Sequence, residues 1–397
     1  MSPFGAWLQV SDRAPHSFQT AAGPRAGDLT NDAILSTGSR CRPSTTRRDT
    51  RSMSDLTVSV VIPTFNRARL LTRAIDSALN ECKAGDEIIV VDDGSTDNTK
   101  SVVGSFASPV RYVAGEHGGA GRARNLGISM AGGDLIAFLD SDDEWIPGKL
   151  SWQRAVMQAL PEALFLFSDY GRVARNGERS PNQVATIPRP QSDHHSWVEI
   201  LGPGIASAAI PGMPATAPSF VVYVGRLYEA LIRFWCVSTC TVLVRRREAL
   251  NALHFAEDVP TFEDLECFAR LAQRGPACYM DCDTAWNHGH SGSRLTSVSP
   301  VIRADAAVKI IERVWGSDED YLGLHAEEYQ KAISAHRLSK IRYLLAEGRT
   351  GEARDELACL ERKPWLYRLM CRLPQSVLLA LLGLRRFIFR QRTVAES

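Results

Sequence analysis

No stretch of this 397-residue chain reaches the ~18 consecutive apolar residues a bilayer-spanning helix requires, which excludes a multispan membrane protein. A charge excess is missing too. Lys and Arg number 46 against 45 Asp and Glu, a formal net charge of +1, so no broadly basic surface for nucleic acid is expected. The first residues lack a compact apolar core followed by a small-residue cleavage site, so no secretion signal is expected. Nine cysteines, an odd number in a long chain, suit reduced thiols, a reducing compartment and a cytoplasmic location. Cys236/Cys240 and Cys278/Cys282 are each four apart, a spacing zinc sites use less often than a two-residue gap, and they read as buried small apolar residues. With 44 % hydrophobic and 23 % charged residues the composition is that of an ordinary globular protein, long enough for two domains or one with appendages.

Residues 1–52 are rich in Ser, Thr, Arg, Gly, Pro and Asp, without helical or alternating period. Such a composition buries too little apolar surface to offset chain entropy. Met53 is therefore expected as the natural start, with a genuine disordered tail as the alternative. From Val58 onward, short apolar runs alternate with helical stretches. Strands are expected at Val58–Pro63, Glu87–Val91, Val110–Ala114 and Leu135–Leu139, with helices at Arg69–Asn80, up to about Phe106, and at Gly121–Ala131. That alternation indicates an α/β fold, a doubly wound, mostly parallel sheet flanked by helices. In such sheets ligands bind beyond the carboxyl ends of the strands, where the polar clusters Thr64–Arg67, Asp92–Asp97 and Asp140–Asp143 all fall.

Further along, residues 181–235 read as an insertion, rich in Pro, Ala, Ser and Gly up to Ser219. A strand at Thr239–Val244 and a helix at Phe262–Gln273 follow. From residue 299 the chain turns helical, through Val301–Trp315, Ala326–Ala346 and Thr350–Leu360, the last two joined by a tight turn. Glu361–Ser397 carries eight basic residues against two acidic ones around the apolar run Val377–Leu384, which suits a helix lying on an anionic bilayer or a terminal helix packed on its neighbours.

Carboxylates at a strand end hold a hard divalent cation while leaving positions for phosphate oxygens and water. Asp140, Asp142 and Asp143, opposite Asp92 and Asp93, suggest a nucleotide diphosphate bridged by Mg²⁺ or Mn²⁺. The runs Val58-Ser-Val-Val-Ile-Pro-Thr-Phe-Asn-Arg67, Val90-Val-Asp-Asp-Gly-Ser-Thr-Asp97, Gly118-Gly-Ala-Gly-Arg-Ala-Arg-Asn-Leu-Gly127 and Gly133-Asp-Leu-Ile-Ala-Phe-Leu-Asp-Ser-Asp-Asp143 resemble family 2 glycosyltransferases of the GT-A fold. Glu144-Trp-Ile-Pro147, Lys149-Leu150 and Gln153 continue the resemblance, which is strong over residues 56–170 and weaker to about 297.

The resemblance implies a GT-A domain over residues 56–298 with a helical extension over 299–397. It implies that Pro63, Thr64, Asn66 and Arg67 line the nucleotide base, and that Asp93, beside Asp92, accepts from a ring N–H. Arg122, Arg124 and Asn125 would face the donor diphosphate, Asp140 and Ser141 would lie by the ribose, and Asp142 would ligate the metal. The family's base stands in a Glu-Asp pair opening a helix, which makes Asp264, within Glu263-Asp264-Leu-Glu266, the expected general base, with Glu263 and Glu266 as nearby alternatives. His290 aligns with a family histidine that touches metal or diphosphate; His288 stands where the family usually has Arg, and Arg294 is the substitute positive charge. The implied activity is metal-dependent, inverting transfer of a sugar from a nucleotide-diphosphate donor, UDP favoured, to a glycan or lipid-linked acceptor. The implied setting is bacterial surface-polysaccharide or glycolipid assembly, on the cytoplasmic side and peripheral to the membrane. The rival readings are another doubly wound nucleotidyl- or sugar-binding enzyme, whose glycine-rich triphosphate loop Ile62–Leu71 lacks, and a catalytically silent nucleotide-sugar-binding or scaffold protein.

Overall fold

The computed structural model describes residues 56–187, 196–289, 298–373 and 377. The expectations for residues 1–52 and for most of the basic C-terminal segment lie outside these described residues.

A strand rich in β-branched residues suits burial on both faces, and Val58–Thr64 (β1), five of whose seven residues are β-branched, is buried throughout. Glu87–Asp92 (β2), Val110–Ala114 (β3) and Leu135–Phe138 (β4) run parallel to it in the order β3-β2-β1-β4. Ala68–Leu79 (α1), Thr99–Gly104 (α2) and Gly119–Met130 (α3) make the crossovers. The buried stripe of α1, Leu71, Ala74, Ile75 and Ala78, has the three-to-four spacing of one helical face. Parallel strands end on a common edge. Thr64 is in register with Asp92, and Leu139 N–H bonds Val61 C=O, so the loops after β2 and β4 emerge on either side of the loop after β1.

The chain continues through Glu144–Trp145 (β5), Lys149–Ala159 (α4), Phe165–Val173 (β6), Arg179–Ser180 (β7), Gln183–Thr186 (α5), Trp197–Leu201 (α6), Ile205–Ala206 (β8), Val221–Gly225 (β9) and Tyr228–Leu231 (α7). Leu243–Arg245 (β10), Arg246–Ala249 (α8), Glu263–Arg274 (α9) and Ala277–His288 (β11) follow. β10 lies antiparallel between β4 and β6, and the sheet extends through β11, β9 and β8. The result is a mixed sheet, parallel in its N-terminal half. Residues 205–225 thus supply two strands to the central sheet. The strand expected at Thr239–Val244 is split: Thr239–Thr241 is a 3-10 turn and only Leu243–Arg245 pairs. The turn prevails because side chains take its carbonyls, Trp145 Nε1 donating to Cys240 O and Gln153 Nε2 to Thr241 O.

Pro300–Val314 (α10), Glu319–Ala346 (α11), Thr350–Ala358 (α12) and Trp365–Met370 (α13) complete the described chain. Ile310, Ile311, Val314 and Trp315 share one apolar core with Phe255, Leu265 and Phe268, so the C-terminal helices pack on α9. Arg313 pairs with Glu266 and Asp258, while Asp318 accepts from Tyr228 and Gln273, fastening the same contact. The expected tight turn between α11 and α12 is present: Gly348 adopts φ +76° and Arg349 N–H bonds Leu344 C=O. Cys236, Cys240, Cys267 and Cys278 are buried free thiols.

Gly127 lets α3 lie flush on β1 and β2. A Cβ there would overlap Val61 Cγ1 and come within 3.2 Å of Val91 Cγ2, both in the core. Gly127→Ala should lower the unfolding free energy by about 1–2 kcal/mol in urea titrations, overpacking outweighing the gain in helix propensity. Gly351→Ala, in open space in the first turn of α12, should not.

Candidate active site

On one side of the edge, the loops after β1 and β2 are laced together. Asn66, in the left-handed region at φ +53°, receives Thr96 N–H on Oδ1 at 2.8 Å and gives its own N–H to Ser95 Oγ at 2.8 Å. Asp92 and Asp93 are both buried. Asp92 accepts from Ser95 N–H and Tyr112 OH, each at 2.8 Å. Asp93 accepts from Gly118 N–H at 2.8 Å and Gly119 N–H at 2.9 Å, so in this structure its carboxylate holds the start of α3. Thr64 is buried with no hydrogen-bond partner at Oγ1, and Pro63 is buried beside it. Two residues absent from the sequence-based site stand here. Phe65, 39 % exposed, stacks on His117 at 4.3 Å between ring centroids, and His117 Nδ1 lies 3.0 Å from Asp93 Oδ2. Phe65 was visible as the one aromatic inside the first motif; His117, just before Gly118, carried no such signal.

On the other side, the loop after β4 brings the second Asp cluster. Asp142 pairs with Arg67 at 2.5 Å, and Arg73 on α1 donates to its backbone carbonyl at 2.6 Å. Asp143 is buried, with His288 N–H and Asn287 Nδ2 each 3.3 Å away; burial first, then Asp140 and Asp142, push its carboxyl well up. Ser141 is buried. Asp140 pairs with Arg124 at 2.7 Å, and the other arm of Arg124 reaches Glu263 at 2.7 Å. Arg124 is 4 % exposed. One buried guanidinium therefore ties the strand-end carboxylates to the helix that carries the expected base.

That helix begins abruptly. Phe262, at φ +64°, occupies a region costly for a bulky side chain and packs edge-on against Trp235 at 4.9 Å. The turn delivers Glu263 to Arg124 and places Asp264 beside them. Asp264 accepts from Leu265 N–H at 2.9 Å and Thr239 Oγ1 at 3.2 Å. Burial, then Glu263, raise its carboxyl to about 6 against the pull of Arg124 and these two donors. A carboxyl ionising there is suited to proton acceptance near neutral pH.

The start of α3 borders a cleft of about 360 Å³, lined among others by Gly118, Gly119, Gly121, Glu257, Pro260 and Glu263. A Cβ on Gly121 would sit 2.6 Å from Ala256 O, so glycine permits the close approach of α3 to residues 256–260. Arg122 is half-exposed and pairs with Glu116 at 3.0 Å. Asn125 is spent on structure: its amide donates to Phe255 O and Glu257 and accepts from Phe255 N–H, at 2.8–2.9 Å. His288 stands 2.9 Å from Glu144, with burial and Arg73 holding its imidazole below the usual range. His290 and Arg294 lie outside the described residues.

For a divalent cation, Asp142 offers one hard oxygen donor at the strand end. Among the described residues no group of three or more His, Cys, Asp or Glu is placed to hold a metal by itself. The arrangement fits an ion of the Mg²⁺ type, which is commonly held by one or two carboxylates plus substrate phosphates and water.

Arg124→Met would leave Glu263 buried and unpaired, and should cost about 3–5 kcal/mol of folding stability in denaturant titrations. Adding Glu263→Gln should recover part of that loss.

Residues 59–203 match the family model described as Glycosyl transferase family 2. The Escherichia coli UDP-Glc:alpha-D-GlcNAc-diphosphoundecaprenol beta-1,3-glucosyltransferase WfgD is 36 % identical over 126 residues, 31 % of this chain and 49 % of that protein. Glycosyltransferase GlyG of Streptococcus pneumoniae is 42 % identical over 95 residues, 23 % of this chain and 31 % of its own length. The chain thus spans half or less of these curated relatives. Among solved structures, S. aureus TarS 1–349 in complex with UDP-GlcNAc superposes with TM-score 0.50 at 19 % identity, covering 77 % of this chain and 82 % of that one. The fold is GT-A, and residues 59–203 of the chain match glycosyltransferase family 2.

Proposed function

We propose that this protein transfers a sugar, with inversion, from a nucleotide-diphosphate donor to a hydroxyl of a glycan or lipid-linked acceptor. The observation that carries the reading is the Arg124 bridge, which brings the base candidate Asp264 to the strand-end carboxylates. In a single displacement the acceptor oxygen bonds to the anomeric carbon as the bond to the diphosphate oxygen breaks. The acceptor proton passes to Asp264, and no enzyme nucleophile is needed. Asp93, Thr64 and the Phe65–His117 stack would border the nucleotide base, and Arg67, released from Asp142, and Arg122 would meet the diphosphate. Asp142, with His290, would hold Mg²⁺ or Mn²⁺, which when bound neutralises charge on the departing diphosphate. A UDP-sugar donor is supported by WfgD, which takes UDP-Glc, and by the TarS complex with UDP-GlcNAc, and a lipid-linked acceptor by the diphosphoundecaprenol substrate of WfgD; the setting we propose is surface-polysaccharide or glycolipid assembly on the cytoplasmic side.

A panel of UDP-, GDP- and dTDP-sugars, scored for nucleoside diphosphate release with and without EDTA, tests this. One donor should give metal-dependent release whose kcat/KM rises with pH through about 6, as Asp264 ionises. Asp264→Asn should lose roughly 10²–10⁴-fold in rate with its fold intact. Donor binding without turnover in the wild type would favour the silent binder instead.

Contact with an anionic membrane is a second element of the proposal. Trp365 and Leu369 on α13 are 72 % and 50 % exposed, and Arg362, Lys363, Arg368 and Arg372 are exposed around them. Among the described residues no helix is long and apolar enough to cross a membrane. The protein should float with phosphatidylglycerol vesicles and less so as Trp365→Ala; absence of binding to both anionic and neutral vesicles would refute this.

A further inference from the structure

Beside the base, the turn at residues 238–241 makes contacts that the transfer reaction as described does not use. Thr239 is buried, and its hydroxyl donates to Asp264 Oδ2 at 3.2 Å while Leu265 N–H occupies Oδ1. One residue on, the buried Cys240 thiol lies 3.3 Å from Ser238 Oγ, and burial together with the neighbouring Asp143 carboxylate of the Asp-rich loop pushes it up. The turn is pinned from beneath. Trp145 Nε1 donates to Cys240 O at 2.9 Å, Gln153 Nε2 to Thr241 O at 2.7 Å, and Lys149 Nζ to the same oxygen at 3.3 Å. Thr241 Oγ1 closes it on Ser238 O at 2.7 Å. Lys149 is itself buried, its ammonium 4.8 Å from the Trp145 ring centroid, so α4, β5 and the turn lock as one block.

We propose that Thr239 is a positioning residue for Asp264, and that its turn is a rigid crosspiece aligning the base with the Asp-rich loop. This rests on Asp264 being the base. One fixed donor on each oxygen orients the carboxylate plane and leaves its remaining lone pairs for the acceptor proton. The Thr239 hydrogen bond also favours the ionised form, opposing burial and Glu263. The other groups facing Asp264 are Arg124 from α3 and, on its own helix, Glu263 and the un-ionised Cys267 thiol. Loss of the hydroxyl therefore shifts the carboxyl upward.

The test compares wild type, Thr239→Val, Thr239→Ser and Asp264→Asn in the full chain. Titration of ¹³C-carboxyl-labelled aspartates by NMR, with the Asp264 signal assigned by its loss in Asp264→Asn, reads the hydrogen bond without substrate. UDP release from UDP-glucose with Mn²⁺, water acting as acceptor, reads its consequence. Thr239→Val should raise the Asp264 midpoint, and the acidic limb of kcat/KM with it, by about 0.5–1 pH unit, and Thr239→Ser should restore both. An unchanged midpoint in Thr239→Val, or a shift Thr239→Ser does not reverse, overturns the proposal while leaving Asp264 as base. Wild-type hydrolysis by Asp264→Asn overturns the base assignment and the positioning role together.

Discussion

The site depends on a single guanidinium buried between two carboxylates. Arg124 meets Asp140 with one arm and Glu263 with the other, so two segments more than a hundred residues apart share one charge. Desolvating an arginine is expensive, and the expense is tolerated only when its partners are fixed in ideal geometry. Here they are. Asp140 is held at the end of a four-residue buried strand and Glu263 at the start of a helix whose entry residue has a left-handed backbone. The pull of Arg124 also moderates Asp264, which burial and Glu263 would otherwise hold protonated further into the neutral range.

Around this bridge the edge of the sheet sorts charge. Acidic side chains gather after β2 and β4, while Arg67 and Arg73 reach over Asp142 from the first loop and helix. The net charge of +1 is an average over this segregation. The acidic groups are satisfied internally: Asp93 by two backbone N–H groups of the glycine-rich loop, Asp142 by Arg67. The C-terminal helices serve the same site from behind, since Arg313 and Asp318 fasten α9 to α10 and α11.

Much of the fold was legible because its signals are local. The runs of valine and isoleucine in β1 and β2, the three-to-four stripe of α1 and the glycines preceding α3 each lie within a dozen residues, and the elements appear within a few residues of expectation. The turn at Thr239–Thr241 misled because β-branched residues favour strands. The side chains that capture its carbonyls come from Trp145 and Gln153, some ninety residues earlier. Asn125 lies in a motif expected to face the donor, and packing commits its amide to Phe255 and Glu257.

By itself the sequence determined the family, the strand-end placement of the Asp clusters and the helix opening with Glu263-Asp264, because each is written in contiguous residues whose chemistry and period need no distant partner. Only the tertiary structure decided that Arg124 joins the two carboxylate groups, that Thr239 reaches Asp264, and that Phe65 stacks on His117 beside Asp93. Those contacts arise from strand order and helix approach, which bring together side chains far apart in the sequence, and electrostatic coupling of buried groups depends on that distance and on the low dielectric around them.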